Sequence, residues 1–99
     1  MAKKEIIWSD LAKVEFSNVL EFYFYRNENS NYSLKIVEEV EELLEILSQS
    51  HFIGRLTSNK ITRVIPMKEY LVFYEINENR IEIISFWDNR QNFENRKIK

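Results

Sequence analysis

Few side chains in this 99-residue chain are suited to catalysis or metal binding. His51 is the only imidazole, a group that can move protons near neutral pH, and it follows a predicted helix. The absence of cysteine excludes disulfides, thiolate metal sites and cysteine nucleophiles. Gly54 is the only glycine, so the chain has no glycine-rich phosphate loop. One histidine and scattered carboxylates predict no metal site and no cofactor.

Cationic side chains remain as the main chemical groups, and they are concentrated in the second half of the chain. Residues 51–99 hold nine Lys and Arg against six Asp and Glu, which gives +3. Residues 9–49 hold three against nine, which gives −6. Such a split predicts one basic and one acidic surface, and the alternative is a solvated helix face with ordinary surface lysines. The split matters only if the fold gathers the basic residues together.

The first half of the chain predicts a strand followed by a helix hairpin. Residues 4–8 are rich in β-branched and aromatic residues, which favours a strand, and Ser9 or Asp10 can cap the next helix. The turn sequence of residues 27–31 separates two helical runs of apolar residues, so the helices are antiparallel. The predicted buried positions are Ala12, Phe16, Val19 and Tyr23, widened by Leu11, Leu20 and Phe22, then Ser33, Ile36, Val40, Leu43 and Leu47.

The second half of the chain predicts three antiparallel strands. After Gly54 the apolar period changes from 3.6 to 2, over residues 60–65, 69–76 and 80–87. The short turns between these segments require antiparallel neighbours. In the last strand, alternation places Ile81, Ile83, Ser85 and Trp87 on one face and Glu82, Ile84 and Phe86 on the other.

These elements predict an α+β fold in the order β-α-α-β-β-β. An N-terminal strand joins a mainly antiparallel sheet, and the antiparallel helix hairpin packs on that sheet. We expect one domain over residues 1–99, with residues 94–99 as a frayed tail. The first apolar residues are soon interrupted by Ser9 and Asp10, and no apolar run approaches the roughly 20 residues that span a bilayer. We therefore expect a cytoplasmic protein that does not associate with a membrane.

The order of elements resembles the RelE/ParE toxins of type II toxin–antitoxin systems, from about Ile6 to Phe93. Leu47 and Gly54 lie seven residues apart, similar to a helix-end pattern Leu-x-x-x-Pro-x-x-Gly of these toxins, with His51 where proline is common. Further residues that resemble family positions are Trp8, Ala12, Arg63, Tyr70, Tyr74 and the run Trp87-Asp88-Asn89-Arg90-Gln91-Asn92.

The resemblance implies a toxin that inhibits growth and is neutralised by a cognate antitoxin. RelE-like members cut mRNA on the ribosome, which requires cations at the scissile phosphate and a group that moves protons. Candidate cations are Arg55, Lys60, Arg63, Lys68, Arg90 and Arg96, and a nuclease would use Arg63, Tyr70, Tyr74 and Arg90. Structural alternatives are an Arg63–Glu82 ion pair, half-buried tyrosines with solvated hydroxyls, and a Trp87 packed in the core.

ParE-like members act differently, because they poison DNA gyrase without cleaving RNA. Leu71 stands where ribonuclease members carry a phosphate-contacting arginine, and Trp87 stands where some carry histidine. The sequence pI near 5.5 is also unfavourable for binding RNA phosphates. We therefore favour the ParE-like branch and a protein that is not an enzyme. The alternatives are a ribosome-dependent mRNA endoribonuclease and a degenerate, non-toxic member.

The expected partners are a cognate antitoxin and DNA gyrase, or the ribosome and mRNA in the nuclease alternative; a homodimer stays open. The antitoxin is expected to lie along the aromatic sheet face and the groove of the helix hairpin. The residues predicted to contact the target or the antitoxin are Arg63, Tyr70, Tyr74, Trp87, Arg90 and Phe93.

Overall fold

Seven elements follow one another in the computed structural model, which describes residues 3–89. They confirm the predicted α+β order and add one short strand before the meander. No helix within residues 3–89 is long and apolar enough to cross a membrane. The elements are β1 (Glu5–Trp8), α1 (Asp10–Asn27), α2 (Asn31–Gln49), β2 (Arg55–Leu56), β3 (Arg63–Met67), β4 (Tyr70–Ile76) and β5 (Arg80–Asp88).

Side-chain hydrogen bonds to the backbone mark where both helices begin. Ser9 Oγ accepts a hydrogen bond from the Ala12 N–H at 3.0 Å, which satisfies one of the free donors in the first turn of α1. At the start of α2, Asn29 Oδ1 accepts from the Asn31 N–H at 2.9 Å. Ser30 occupies the N-cap position of α2 but makes no side-chain cap hydrogen bond. The hairpin turn therefore depends on an asparagine side chain.

The five strands form one mixed sheet in the order β1-β5-β4-β3-β2. β1 pairs in parallel with β5, and the other neighbours are antiparallel. β3 begins at Arg63 rather than near residue 60, because Asn59 Oδ1 accepts the N–H groups of Ile61 and Thr62, both at 2.8 Å. These bonds close a turn over residues that alternation alone assigns to a strand. The turn also aligns β2 for pairing with β3.

A β-bulge interrupts the alternation of β5. The pairing with β4 skips Ile84, which lies between the paired Ile83 and Ser85. One extra residue moves every later side chain to the opposite face. Phe86 is consequently 1% exposed in the core, whereas Trp87 pairs with Leu71 on the other face. The prediction that placed Trp87 with Ile83, and Phe86 on the opposite face, is therefore wrong.

The helix hairpin packs on one face of the sheet. Phe16 of α1 stacks on Trp8, with ring centroids 5.1 Å apart, and meets Phe86 edge-on at 4.9 Å. The buried core draws on both layers: Ala12, Tyr23, Ile36, Val40, Leu47, Ile65, Tyr70, Val72, Tyr74, Ile81, Ile83 and Phe86.

The first helix is also apolar on its outward side. Leu11 and Phe22, which were predicted to widen the buried stripe, are 55% and 54% exposed, so that prediction is wrong for both. Leu20 packs against the core as predicted. Periodicity shows which residues share a helix face, but it does not say which of two apolar faces the sheet covers.

Candidate functional site

An acid-free segment runs along the β2 edge of the sheet. Residues 46–68 contain Arg55, Lys60, Arg63 and Lys68 but no Asp or Glu. Large apolar side chains are also exposed there, among them Phe52 at 59% and Ile61 at 65%. An exposed apolar patch that is flanked by polar groups is typical of an interaction surface. We call this surface the cationic edge and define it as Phe52, Ile53, Arg55, Leu56, Lys60, Ile61 and Arg63.

A buried tyrosine holds the chain that forms this edge. Tyr74 of β4 is 0% exposed, and its hydroxyl donates to the His51 carbonyl at 2.8 Å. The same hydroxyl accepts from the Gly54 N–H at 2.9 Å. A Cβ at position 54 would lie 2.6 Å from that oxygen, so only glycine fits beside the phenol. The spacing of Leu47 and Gly54 thus reflects a helix end that is tied to β4.

The imidazole of His51 belongs to this anchor. His51 is 3% exposed, and its Nε2 lies 2.9 Å from the Ser48 carbonyl. In the tautomer that carries a proton on Nε2, the ring donates to this carbonyl in the last turn of α2. The only histidine therefore fastens a helix end and offers no exposed surface for proton transfer.

Arg63 joins the anchor to the exposed surface. Its Nη1 donates to the Gly54 carbonyl at 2.7 Å, and its guanidinium lies 5.1 Å from the centroid of the Phe52 ring. This distance suits a cation–π interaction. The alternative ion pair with Glu82 is not formed among residues 3–89, because Glu82 is on β5, two strands away. Arg63 therefore orders Phe52 while staying half-exposed.

A second set of bonds orders Lys60 and Ile61. Asn59 Nδ2 donates to Thr62 Oγ1 at 2.9 Å, and Thr62 Oγ1 donates to Glu75 Oε2 at 2.8 Å. Lys60 adopts φ 64°, in the left-handed region that a non-glycine residue enters at a tight turn. The turn is thus tied to β4 while its tip projects Lys60 and Ile61 outward, where both are exposed.

The two tyrosines predicted as contact residues lie in the core instead. Tyr70 is 0% exposed and stacks on Phe86, with ring centroids 4.9 Å apart. Burial raises the pKa of the Tyr74 phenol above its ordinary value, and the Gly54 N–H and the Arg63 charge offset this only in part. The Tyr74 hydroxyl therefore stays protonated at neutral pH. Neither ring is half-buried with a solvated hydroxyl, and neither offers a surface to a partner in this conformation.

The remaining predicted residues lie elsewhere. Trp87 is half-buried and lines a groove of about 430 Å³ between α1 and the end of β5, together with Phe22 and Arg26. Lys68 pairs with Glu39 of α2 at 2.8 Å, and this contact raises the pKa of Lys68. Arg90, Phe93 and Arg96 fall outside residues 3–89, so their placement stays a prediction.

The predicted groove of the helix hairpin is present. A cleft of about 470 Å³ lies between α1 and α2, with Lys13 and Glu41 among its polar lining residues. We call it the hairpin groove. Its apolar lining residues are Trp8, Phe16, Leu20, Val37, Val40 and Leu44.

The described part of the cationic edge presents cationic and apolar side chains. Arg55 and Lys60 are exposed cations, but residues 46–68 contain no carboxylate, and their one imidazole is buried. Within residues 3–89, no three His, Cys, Asp or Glu side chains are grouped to hold a metal ion. The cationic edge can therefore hold an anionic or apolar partner, with Glu75, which bonds Thr62, as the nearest described carboxylate.

Comparison with known proteins gives the family. Residues 6–93 match the family model described as the ParE toxin of the type II toxin–antitoxin system parDE. The chain belongs to the ParE toxin family. This membership confirms the resemblance to the RelE/ParE toxins and identifies the protein as a type II toxin.

A solved structure supports the fold of this ParE toxin. The chain is similar to the "Chromosomal ParDE TA system from P. aeruginosa", with a TM-score of 0.71 and 14% sequence identity. The match covers 87% of this chain and 96% of that chain. At such low identity the likeness shows a shared fold alone. Among curated proteins, none matches this ParE toxin in sequence.

Sequence reasoning missed the apolar part of the cationic edge. Ile53 and Leu56 lie between the second predicted helix and the strand predicted over residues 60–65, so no predicted element included them, whereas Ile61 was predicted within that strand but lies in the turn before β3. The available signal was the absence of acids from residues 46–68 in a chain with 16 Asp and Glu. Such a run predicts a cationic surface even where the secondary structure is irregular.

Proposed function

We propose that this ParE toxin inhibits growth by poisoning DNA gyrase without cleaving RNA, and that a cognate antitoxin neutralises it. The observation that carries the proposal is the environment of Leu71, where ribonuclease relatives are expected to hold a phosphate. Leu71 pairs with Pro66 on one side and Trp87 on the other, so its cross-strand neighbours are uncharged. Among residues 3–89, no cation is paired with Leu71 across the sheet.

The burial of both tyrosines supports the same proposal. A nuclease needs a proton donor or acceptor within hydrogen-bond reach of its substrate. Tyr70 and Tyr74 are both 0% exposed, and the Tyr74 hydroxyl is committed to His51 and Gly54. The Tyr74 phenol therefore supports the cationic edge from beneath, whereas Tyr70 packs on Phe86 in the core, and neither arrangement serves proton transfer to a bound RNA.

The cationic edge is the surface we assign to the target. Its aliphatic and aromatic side chains suit a protein partner, because apolar contacts at the centre of an interface provide most of the binding energy. Arg55, Lys60 and Arg63 would favour an acidic partner surface or the DNA that gyrase holds.

The hairpin groove is the surface we assign to the antitoxin. The P. aeruginosa relative is described as a ParDE toxin–antitoxin system, which pairs that toxin with a second protein. An amphipathic helix can place its apolar side chains in such a groove. The hairpin groove and the cationic edge share no residue. The antitoxin would therefore neutralise the toxin without binding the residues that contact the target.

The acid-free segment also suits mRNA, which keeps a ribosome-dependent endoribonuclease as the second candidate. Induced expression in a bacterial host, with pulse labelling of DNA and protein synthesis, separates the two. The gyrase proposal expects an early loss of DNA synthesis with intact mRNA. Early loss of protein synthesis with codon-periodic mRNA cuts would overturn it. Normal growth with soluble toxin would instead indicate a degenerate, non-toxic member.

A further inference from the structure

The outward face of α1 carries an exposed apolar stripe. Leu11, Val14, Phe22 and Tyr25 are 55%, 56%, 54% and 74% exposed, and the exposed Asn18 lies between them. At about 100° per residue, these five positions fall within about 40° on either side of Asn18. The opposite side of the helix is buried in the core, so α1 is apolar on two sides. Helices of this kind are normally covered on both sides.

The stripe is symmetric about its central residue. Val14 and Phe22 lie four residues before and after Asn18, and Leu11 and Tyr25 lie seven residues before and after it. A second α1, antiparallel and related by a two-fold axis at Asn18, would bring Leu11 to Tyr25 and Val14 to Phe22. A closed two-fold dimer requires this kind of self-complementary surface.

Asn18 gives this arrangement a defined register. Its amide has donors and an acceptor, so two copies of Asn18 that face each other satisfy one another. A shifted register would bury each amide against apolar side chains without a partner, which is unfavourable. A single buried asparagine sets the register of paired helices for this reason.

The presentation of the stripe is rigid. Glu15 of α1 accepts hydrogen bonds from Ser85 Oγ at 2.7 Å and from the Phe86 N–H at 2.9 Å. The Ser9 cap donates from its hydroxyl to the Ile84 carbonyl at 2.9 Å. These three hydrogen bonds fasten α1 to β5, so α1 need not reorient when a partner binds the stripe.

The character and size of the stripe favour a second copy over other occupants. Asp10, Glu15 and Glu21 flank it against the single cation Arg26, which disfavours nucleic acid. Aromatic side chains bury roughly 150–250 Å² each, so the exposed parts of the stripe offer on the order of 500 Å² per copy. Two copies would bury about 1,000 Å², near the lower bound for a specific interface.

We propose that this toxin forms a two-fold homodimer through antiparallel pairing of its α1 helices. Leu11, Val14, Phe22 and Tyr25 form the apolar interface, and the two Asn18 side chains bond each other at its centre. The small area indicates a dissociation constant on the order of micromolar. The inference stands on the geometry of α1 and does not depend on gyrase as the target.

Cysteine crosslinking tests the register directly, because the chain has no cysteine of its own. With Asn18→Cys, the two thiols face each other, and mild oxidation should give a disulfide-linked dimer. Ser17→Cys is the matched control, since its exposed side chain points about 100° away around the helix. Leu11→Cys should crosslink to Tyr25→Cys in a mixture, and neither should crosslink alone. Equal crosslinking of Asn18→Cys and Ser17→Cys would overturn the proposal.

Charge variants test whether the stripe forms the interface in solution. The double variants Val14→Glu/Phe22→Glu and Val14→Lys/Phe22→Lys should each be monomeric by light scattering, with dissociation constants raised at least about tenfold. Their mixture should restore the dimer, because opposite charges then face each other. Lys35→Glu, on the exposed side of α2, should leave the dimer unchanged.

Circular dichroism of each variant would confirm that the substituted chain is folded. Three outcomes overturn the proposal: an unmodified chain that stays monomeric well above micromolar concentration, a dimer that survives both charge variants, or a mixture that remains monomeric. A monomeric chain whose stripe variants lose antitoxin binding would assign the stripe to the antitoxin instead, and would equally overturn the homodimer.

Discussion

The helix hairpin and the cationic edge are held in place by different kinds of contact. The hairpin rests on apolar side chains that recur along each helix, such as Ile36, Val40 and Leu47, all at most 3% exposed. The cationic edge has few buried side chains of its own. The hydrogen bonds of Tyr74 to His51 and Gly54 hold it against the sheet. Loss of one hairpin contact should therefore weaken the whole domain, whereas loss of the tyrosine anchor should also release the edge.

The largest expected loss of stability is on the hairpin side. Leu47→Ala removes a 0% exposed side chain and leaves a cavity, so the free energy of unfolding should fall by about 3 kcal/mol. Ile46→Ala is the matched control, because Ile46 is 55% exposed and its loss should cost less than about 0.5 kcal/mol. Urea denaturation measures both. Equal losses would contradict the assignment of Leu47 to the core.

The next largest loss is expected at the anchor of the cationic edge. Gly54→Ala places a Cβ 2.6 Å from the Tyr74 hydroxyl and 2.7 Å from its ring, so backbone or ring must shift. We expect a loss of about 2 kcal/mol. Combining it with Tyr74→Phe should give less than the sum of the two single losses, because both break the same contact. Additive losses in urea denaturation would argue against this coupling.

Tyr74→Phe isolates the hydrogen bonds of the anchor. The change leaves the buried Gly54 N–H without its acceptor, which should lower the free energy of unfolding by about 1–2 kcal/mol at neutral pH. Because burial raises the Tyr74 pKa, the neutral phenol stabilises the fold below the ordinary pKa of about 10. This contribution is lost as pH rises through the raised value.

The difference in stability between the parent chain and Tyr74→Phe should therefore shrink in alkaline solution, as followed by denaturation at a series of pH values. Tyr25→Phe, at a 74% exposed position, is the control and should show no such trend. A difference that is constant with pH would contradict the buried, hydrogen-bonded state of Tyr74.

The smallest expected losses of stability concern two cations of the cationic edge, Arg63 and Arg55. Arg63→Ala should cost about 1 kcal/mol, because Arg63 bonds the Gly54 carbonyl and lies over the Phe52 ring. Arg55→Ala should cost less than about 0.5 kcal/mol, because Arg55 is exposed. Both should reduce growth inhibition if the edge meets the target. Reduced toxicity for Arg63→Ala alone would indicate a structural role instead.

The same comparison explains how much of the fold could be predicted. Helix periodicity and cap residues are local, so α1 and α2 were predicted within a few residues of their ends. The bulge at Ile84 has no local sequence mark, and it reversed the predicted faces of Phe86 and Trp87. Periodicity also could not decide which apolar side of α1 the sheet covers, so Leu11 and Phe22 were placed in the core.

The candidate site was less predictable than the fold, because it depends on contacts between distant residues. Arg63, Tyr74 and Gly54 were all singled out by their resemblance to family positions. Their roles became clear only from their hydrogen bonds. One joins Tyr74 to Gly54 across 20 residues, and another joins Arg63 of β3 to the Gly54 carbonyl. The exposed Phe52 lies in a loop where neither periodicity nor resemblance gives a prediction, and Ile61 was predicted within a strand but lies in a turn.

A cleavage assay with purified proteins shows whether this toxin poisons DNA gyrase. Supercoiled plasmid, gyrase and toxin are incubated, and trapped gyrase–DNA cleavage complexes are counted as linear DNA after protein digestion. If gyrase is the target, the parent toxin should raise linear DNA, Arg55→Glu/Lys60→Glu should lose this effect, and Lys13→Glu/Lys35→Glu on the helices should retain it. No increase in linear DNA with a folded toxin that still arrests growth would contradict gyrase as the target.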